Sequence, residues 1–212
     1  MIDLDETTIR SRSVSEMANN VYLLTSKRTG VQILIDAADD APAIQAMLAQ
    51  AQADSPEPTR VACIVTTHSH WDHVRALADL VRETGARTAA GAEDVADIEV
   101  PTDLALQAGP LQIDGAPALE VIKLRGHTPG SVALLYRDPS GPAHLFTGDS
   151  LFPGGVGNTF GDPDAFASLI SDVTERVFDV LPDDTIVHPG HGDGTTLGAE
   201  RPHLRQWRER GW

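Results

Sequence analysis

The stretch that restricts this chain most is a junction. The β-branched apolar run Val61-Ala62-Cys63-Ile64-Val65 leads through Thr66-Thr67 into His68-Ser69-His70-Trp71-Asp72-His73. A short apolar run of this kind, bounded by turn residues, reads as a buried strand. Three histidines and an aspartate then fall within six residues. Neutral imidazole is the commonest protein ligand for zinc, and carboxylate binds it too. In a loop leaving a strand, His68 and His70 can point to one side while Asp72 and His73 turn onto the start of a helix. One short loop can therefore serve two adjacent metal ions. A histidine-rich surface loop is the plainer alternative, but the cluster has no low-complexity surroundings.

Three further segments repeat the pattern of an apolar strand ending in a ligand-type residue. Val121-Ile122-Lys123-Leu124 leads to Gly126-His127, His144-Leu145-Phe146-Thr147 to Gly148-Asp149, and Thr185-Ile186-Val187 to His188-Pro189-Gly190-His191. Glycine beside each candidate permits tight turns and close backbone approach. Alone, Asp149 reads as a turn or cap residue and His127 as a loop histidine. Together with the first cluster, four strand ends converge on one rim.

The remaining pattern indicates an α/β or α+β layered domain, taken as a single unit over residues 1–212. Val21-Leu24 and Val31-Ile35 read as strands joined by a hairpin through Thr29-Gly30. Residues 42–53 are helical in character, with Pro42 in the first turn. From Asp72, Val74, Leu77, Leu80 and Val81 recur at helical spacing and Gly85 stops the run. Asp162-Pro163 opens a helix with Phe166, Leu169, Ile170, Val173 and Val177 on one face. A last helix covers roughly residues 199–209. Its arginines, Arg201, Arg205, Arg208 and Arg210, read as a solvated face near a helix C-terminus.

The formal net charge of −15 repels phosphate backbones and anionic lipid, which argues against nucleic acid or membrane as main partners. Residues 1–15 are polar without an apolar leader segment, and no run approaches membrane-span length, so the cytoplasm is the expected compartment. Cys63 is the only cysteine; it reads as a small buried apolar side chain and excludes an intramolecular disulfide. Nothing in the sequence sets an oligomeric state.

His68-Ser69-His70-Trp71-Asp72-His73 matches the H-x-H-x-D-H signature of the metallo-β-lactamase superfamily, and His127, Asp149 and His191 resemble that family's remaining ligands in order. The resemblance spans roughly residues 18–195. It implies a four-layer αββα sandwich with the site at one edge. It implies two zinc ions per chain (iron or manganese being the alternatives): His68, His70 and His127 on one, Asp72, His73 and His191 on the other, Asp149 bridging. The implied chemistry is hydrolysis of a small-molecule substrate by a hydroxide shared between the metals, with Asp72 as ligand first and proton acceptor second. Within the family, Asp149 argues against the zinc β-lactamases and His70 against the diiron flavoprotein branch; the glyoxalase II-like thioester hydrolases are most similar. Asn158, in the glycine-rich loop after Asp149, stands where those relatives often carry a basic residue. Only residues 192–212 follow His191, too few for the longer helical segment with which glyoxalase II binds glutathione. Another thiol conjugate, a lactone or an ester is therefore open as substrate. The other functions weighed are a mononuclear iron persulfide dioxygenase using His68, His127 and Asp149, a lactonase, and a non-catalytic metal-binding protein. Trp71 reads equally as a wall of the site or as packing, and His188 as a support for the ligands or a structural residue. His144 and His203 are given no ligand role. Trp207 and Trp212 read as packing or partner contacts.

Overall fold

Strand burial on both faces organises the molecule. The computed structural model describes residues 1–211. The first half contributes β1 (Ile2–Asp3), β2 (Thr7–Val14), β3 (Asn19–Ser26), β4 (Val31–Ile35), β5 (Arg60–Thr66), β6 (Arg87–Gly91) and β7 (Leu104–Leu106), which pair in sequence order into one sheet. The second half contributes β8 (Gly109–Leu111), β9 (Leu119–Lys123), β10 (Val132–Tyr136), β11 (His144–Gly148), the small hairpin β12 (Leu151–Phe152) and β13 (Gly155–Val156), then β14 (Ile186–Pro189) and β15 (Thr195–Thr196). Its main sheet runs β15-β14-β11-β10-β9-β8.

Alternation along each strand assigns the layers. Tyr22 and Leu24 of β3, Ile33 and Ile35 of β4 and Cys63 and Val65 of β5 face the second sheet, meeting Val132, Leu134, Tyr136 and Phe146. Their neighbours Val21, Leu23, Leu34 and Ile64 face outward onto α1 (Ala41–Gln50) and α2 (Leu77–Thr84), where Ile44, Met47, Leu77 and Leu80 cover them. On the far side, Ala133, Leu135, Leu145 and Val187 are covered by α3 (Pro163–Val173), α4 (Leu197–Glu200) and α5 (Leu204–Arg210), through Leu169, Val173, Leu197 and Trp207. The order is helix, sheet, sheet, helix, the αββα sandwich implied by the resemblance. A sheet covered on both sides needs apolar residues on both strand faces, which is why the runs read as continuous rather than alternating. Truncating one of the fully buried leucines, such as Leu34, to alanine is expected to cost about 2–5 kcal/mol.

Local chemistry sets the ends of the helices. The Asp40 side chain accepts from Ala43 N to open α1, and Asp162 accepts from Asp164 N and Ala165 N to open α3. Gly85 closes α2 at φ 64°. Three expectations shift. Residues 7–14 form a strand although they are mostly polar, because β2 pairs along its whole length with β3 and buries Thr7, Thr8, Ile9 and Val14 at its two ends, leaving Ser11 and Ser13 exposed between them. The helix expected from Asp72 begins only at Leu77; Trp71–His73 make a tight 3₁₀ turn instead. The last helix is interrupted at Arg201–His203, where Pro202 has no N–H to donate. Arg201 is also no solvated residue: it bonds Asp183 and the carbonyls of Phe178 and Leu181, and its guanidinium lies 5.4 Å from the Phe178 ring centre. No helix among the described residues is long and apolar enough to cross a membrane.

Candidate metal centre

The parallel pairing of β4 with β5, and of β11 with β14, puts the C-terminal ends of each pair at the same edge. His68 follows β5, Asp149 follows β11 and His191 follows β14. The turn between β9 and β10 carries His127, and the 3₁₀ turn after β5 carries Asp72 and His73. All seven residues singled out in the sequence meet there. Their donor atoms fall into three groups, each within 4.8 Å: His68, His70 and His127; Asp72, His73 and His191; and His68, His73 and Asp149.

Four imidazoles share one arrangement, with an outer nitrogen tied down and an inner one facing the group. His73 Nδ1 lies 2.9 Å from Asp36 Oδ2, His127 Nδ1 2.7 Å from the Asn158 carbonyl, and His191 Nδ1 2.8 Å from the Met17 carbonyl. His68 Nδ1 lies 3.1 Å from Thr67 Oγ1, whose own hydroxyl donates to Asp36. Each acceptor keeps the proton on Nδ1 and leaves Nε2 with a lone pair turned inward. The inner Nε2 atoms of His68 and His127, and Oδ1 of Asp149, are buried without any hydrogen-bond partner. Orphaned acceptors facing one another are costly unless a cation sits among them, so this donor set fits metal ions. Asp149 reaches both sides: Oδ1 is 3.5 Å from His73 Nε2, while Oδ2 is 3.6 Å from His127 Nε2 and 3.4 Å from His191 Nε2.

The electrostatics follow from this packing. Burial and the neighbouring imidazoles hold the His68 pKa well below its ordinary value, and burial also lowers that of His127. The bond to Asp149 pushes His191 up to about 9. Burial works against a charged His73, but Asp36, Asp149 and Asp72 outweigh it and raise its pKa. Burial likewise works against the Asp149 carboxylate, and the bond to His191 and the imidazole charges outweigh it, lowering its pKa. Two glycines make room for Asp149. A Cβ on Gly190 would sit 2.1 Å from its Oδ1, and one on Gly157 would sit 1.8 Å from its carbonyl oxygen.

A family model described as the metallo-beta-lactamase superfamily matches residues 14–191. The chain belongs to that superfamily. Among curated superfamily members, the hydroxyacylglutathione hydrolase of Ruegeria pomeroyi is 38% identical over 82% of this chain and 62% of its own length. The chain thus spans about three-fifths of the curated relatives it matches. The BLEG-1 B3 metallo-beta-lactamase superposes with a TM-score of 0.77 at 26% identity, covering 94% of this chain and 99% of that one. TTHA1623, solved in a di-iron-bound form, superposes with a TM-score of 0.71 at 30% identity over 91% and 96%.

Other sequence expectations resolve at or near the rim. Trp71 is 60% exposed and lies against Arg75, whose guanidinium is 5.3 Å from the ring centre. Asn158 faces its own loop: its carbonyl holds His127 and its side chain accepts from Phe160 N. His144, His188 and His203 belong to none of the three donor groups. Trp207 packs edge-to-face on Phe178, and Trp212 lies outside the described residues. Several supports escaped the sequence reading, Asp36 and Asn19 among them. Asp36, buried at φ 57°, also accepts from Thr67 N, and Asn19 donates to Asp72 Oδ2 at 2.9 Å. Asp36 did carry a signal, because it closes the apolar run Val31–Ile35 as Asp149 closes its own.

Proposed function

We propose that this chain is a metal-dependent hydrolase of small-molecule thioesters or related esters, working with two metal ions. His68, His70 and His127 would hold one ion and Asp72, His73 and His191 the other, with Asp149 available to both. The observation that carries the reading is the set of inward Nε2 atoms, each backed by an anchored Nδ1, around two carboxylates. Two divalent ions at such a site supply Lewis acidity and activate water near neutral pH. Asp72, whose Oδ2 accepts from Asn19 and lies 3.2 Å from His191 Nε2, would serve as ligand first and as proton acceptor from the attacking water second. Cys63 is no competing nucleophile, since burial pushes its thiol up to about 12.

The thioester class rests on similarity to the hydroxyacylglutathione hydrolases. Surroundings of the rim bear on which thioester. Phe160, 70% exposed, lies with its ring centre 5.7 Å from that of His70 and 5.9 Å from that of His127. Beside Trp71 is a groove of about 340 Å³ with a mixed lining, Val74, Ala78, Ile98 and Val100 together with Ser69, Arg75, Asp97 and Glu99. The exposed Phe160 ring beside His70 and His127 favours a substrate with an apolar group next to the reacting carbonyl. Zinc is the proposed metal; the di-iron form of TTHA1623 makes iron the alternative to test.

Elemental analysis of protein purified without added metal, followed by assays on S-lactoylglutathione, an aryl thioester and a small lactone, tests the proposal. About two zinc ions per chain with thioester turnover supports it. Turnover of the lactone alone keeps the site and changes the substrate. One iron per chain, with oxygen uptake on a persulfide and no hydrolysis, overturns it.

A further inference from the structure

Between the loop carrying His68 and His70 and the turn carrying His127 lies the Asp94 carboxylate, with 0% exposure. Its Oδ2 accepts from Ser69 N at 2.8 Å and from Thr128 Oγ1 at 2.6 Å, and its Oδ1 accepts from Gly130 N at 2.6 Å. All three partners are neutral donors. Ser69 sits between two of the proposed ligands, and Thr128 directly follows the third. A buried carboxylate needs its oxygens bonded to offset desolvation, so Asp94 and these two segments fix one another. Its own turn does not need the side chain: Asp94 N donates to Gly91 O and Asp97 N to Asp94 O, backbone to backbone.

We propose that Asp94 is the positioning residue of the first metal position, setting the distance of His68 and His70 from His127. This rests on the two-ion reading above. The three bonds of Asp94 all go to the first position's segments, whereas Asn19 backs Asp72 and the Met17 carbonyl backs His191 at the second; Asp36 is shared, bonding His73 directly and His68 through Thr67. The two positions are therefore separable at Asp94, and damage there weakens the first and spares the second.

Asp94→Asn keeps the size of the side chain and replaces an acceptor by an NH₂ that must face a donor. Zinc would be titrated into the metal-free full chain against a chromophoric chelator, for the parent, Asp94→Asn, His191→Ala and the double variant. The parent is expected to bind two ions, and His191→Ala to keep the first position alone. In Asp94→Asn, affinity at the first position should fall about 10–100-fold, the range for outer partners of metal ligands, while the second stays within about threefold. The double variant should then hold no tight ion. Melting of the metal-free proteins checks that the fold survives. Should Asp94→Asn fail to fold, Thr128→Val removes one donor only and is read for the same selective loss. Two unchanged sites in the folded variant, or equal weakening of both, would overturn the inference. Fewer than two ions in the parent would overturn the two-ion reading, and the inference with it.

Discussion

His188 and His191 lie three residues apart, one within β14 and one just beyond it, and their surroundings treat them in opposite ways. His188 Nε2 meets His144 Nδ1 at 2.9 Å with the two ring planes within 8° of parallel, and Phe146 stacks on His188 with ring centres 4.8 Å apart. Burial and His144 drive the His188 pKa down to about 3. His191 instead meets Asp149 and Asp72, and its pKa goes up to about 9. Burial alone therefore does not make a histidine a ligand. The difference is an anchored outer nitrogen combined with an inner one facing carboxylates and other bare nitrogens, against a pair of imidazoles that satisfy each other.

The sharpest test of that contrast is activity. His68→Ala and Asp149→Asn should each lower thioester turnover by at least about 10²–10³-fold, the loss typical of removing a main electrostatic contributor. His188→Gln, assayed well below its melting temperature, should stay within about threefold. An equal loss in His188→Gln would erase the distinction. A smaller effect is expected one step behind the ligands: Asp36→Asn should weaken zinc binding about 10–100-fold in a chelator competition, because His73 loses its anchor.

The pH dependence separates the two groups again. The folded-state pKa of His188, about 3, lies below the value of 6.5 for a free imidazole. The unfolded chain thus binds the proton more readily between these values, and the stability carried by this neutral pair is present above about pH 6.5 and lost as pH falls toward 3. Compared with the parent, metal-free His188→Gln should show a flatter loss of melting temperature across that window; an unchanged slope would place the acid sensitivity elsewhere. His191 has the opposite sign, because its proton must leave before a metal can bind. Calorimetry of zinc binding at pH 7 in two buffers of different ionisation enthalpy should report proton release, fading as pH rises past about 9. Buffer-independent heats would mean that His191 is already neutral.

Much of this was legible in the sequence because the proposed ligands sit where apolar runs stop. His68, His127, Asp149 and His191 all follow strands that short apolar runs reveal; those runs indicate a layered domain, and the αββα order was implied by the family resemblance. Residues acting through backbone atoms were not legible. Asp94 is marked only by the N–H groups of Ser69 and Gly130 and the Thr128 hydroxyl, and those come together only in the folded chain. Strand β2 was hidden for a related reason: its partner β3 and its few buried side chains, not its composition, hold Thr7–Val14 in place.

The close fit of Gly157 and Gly190 around Asp149 also bears on how such a chain can diversify. Any side chain at either position would collide with atoms of Asp149, so a saturation library should find both nearly closed to substitution. Phe160 and Trp71, exposed at the mouth, carry no such restriction. On the proposed function, substrate range and metal chemistry fall to different residues, so that selection can reshape the first while leaving the second alone.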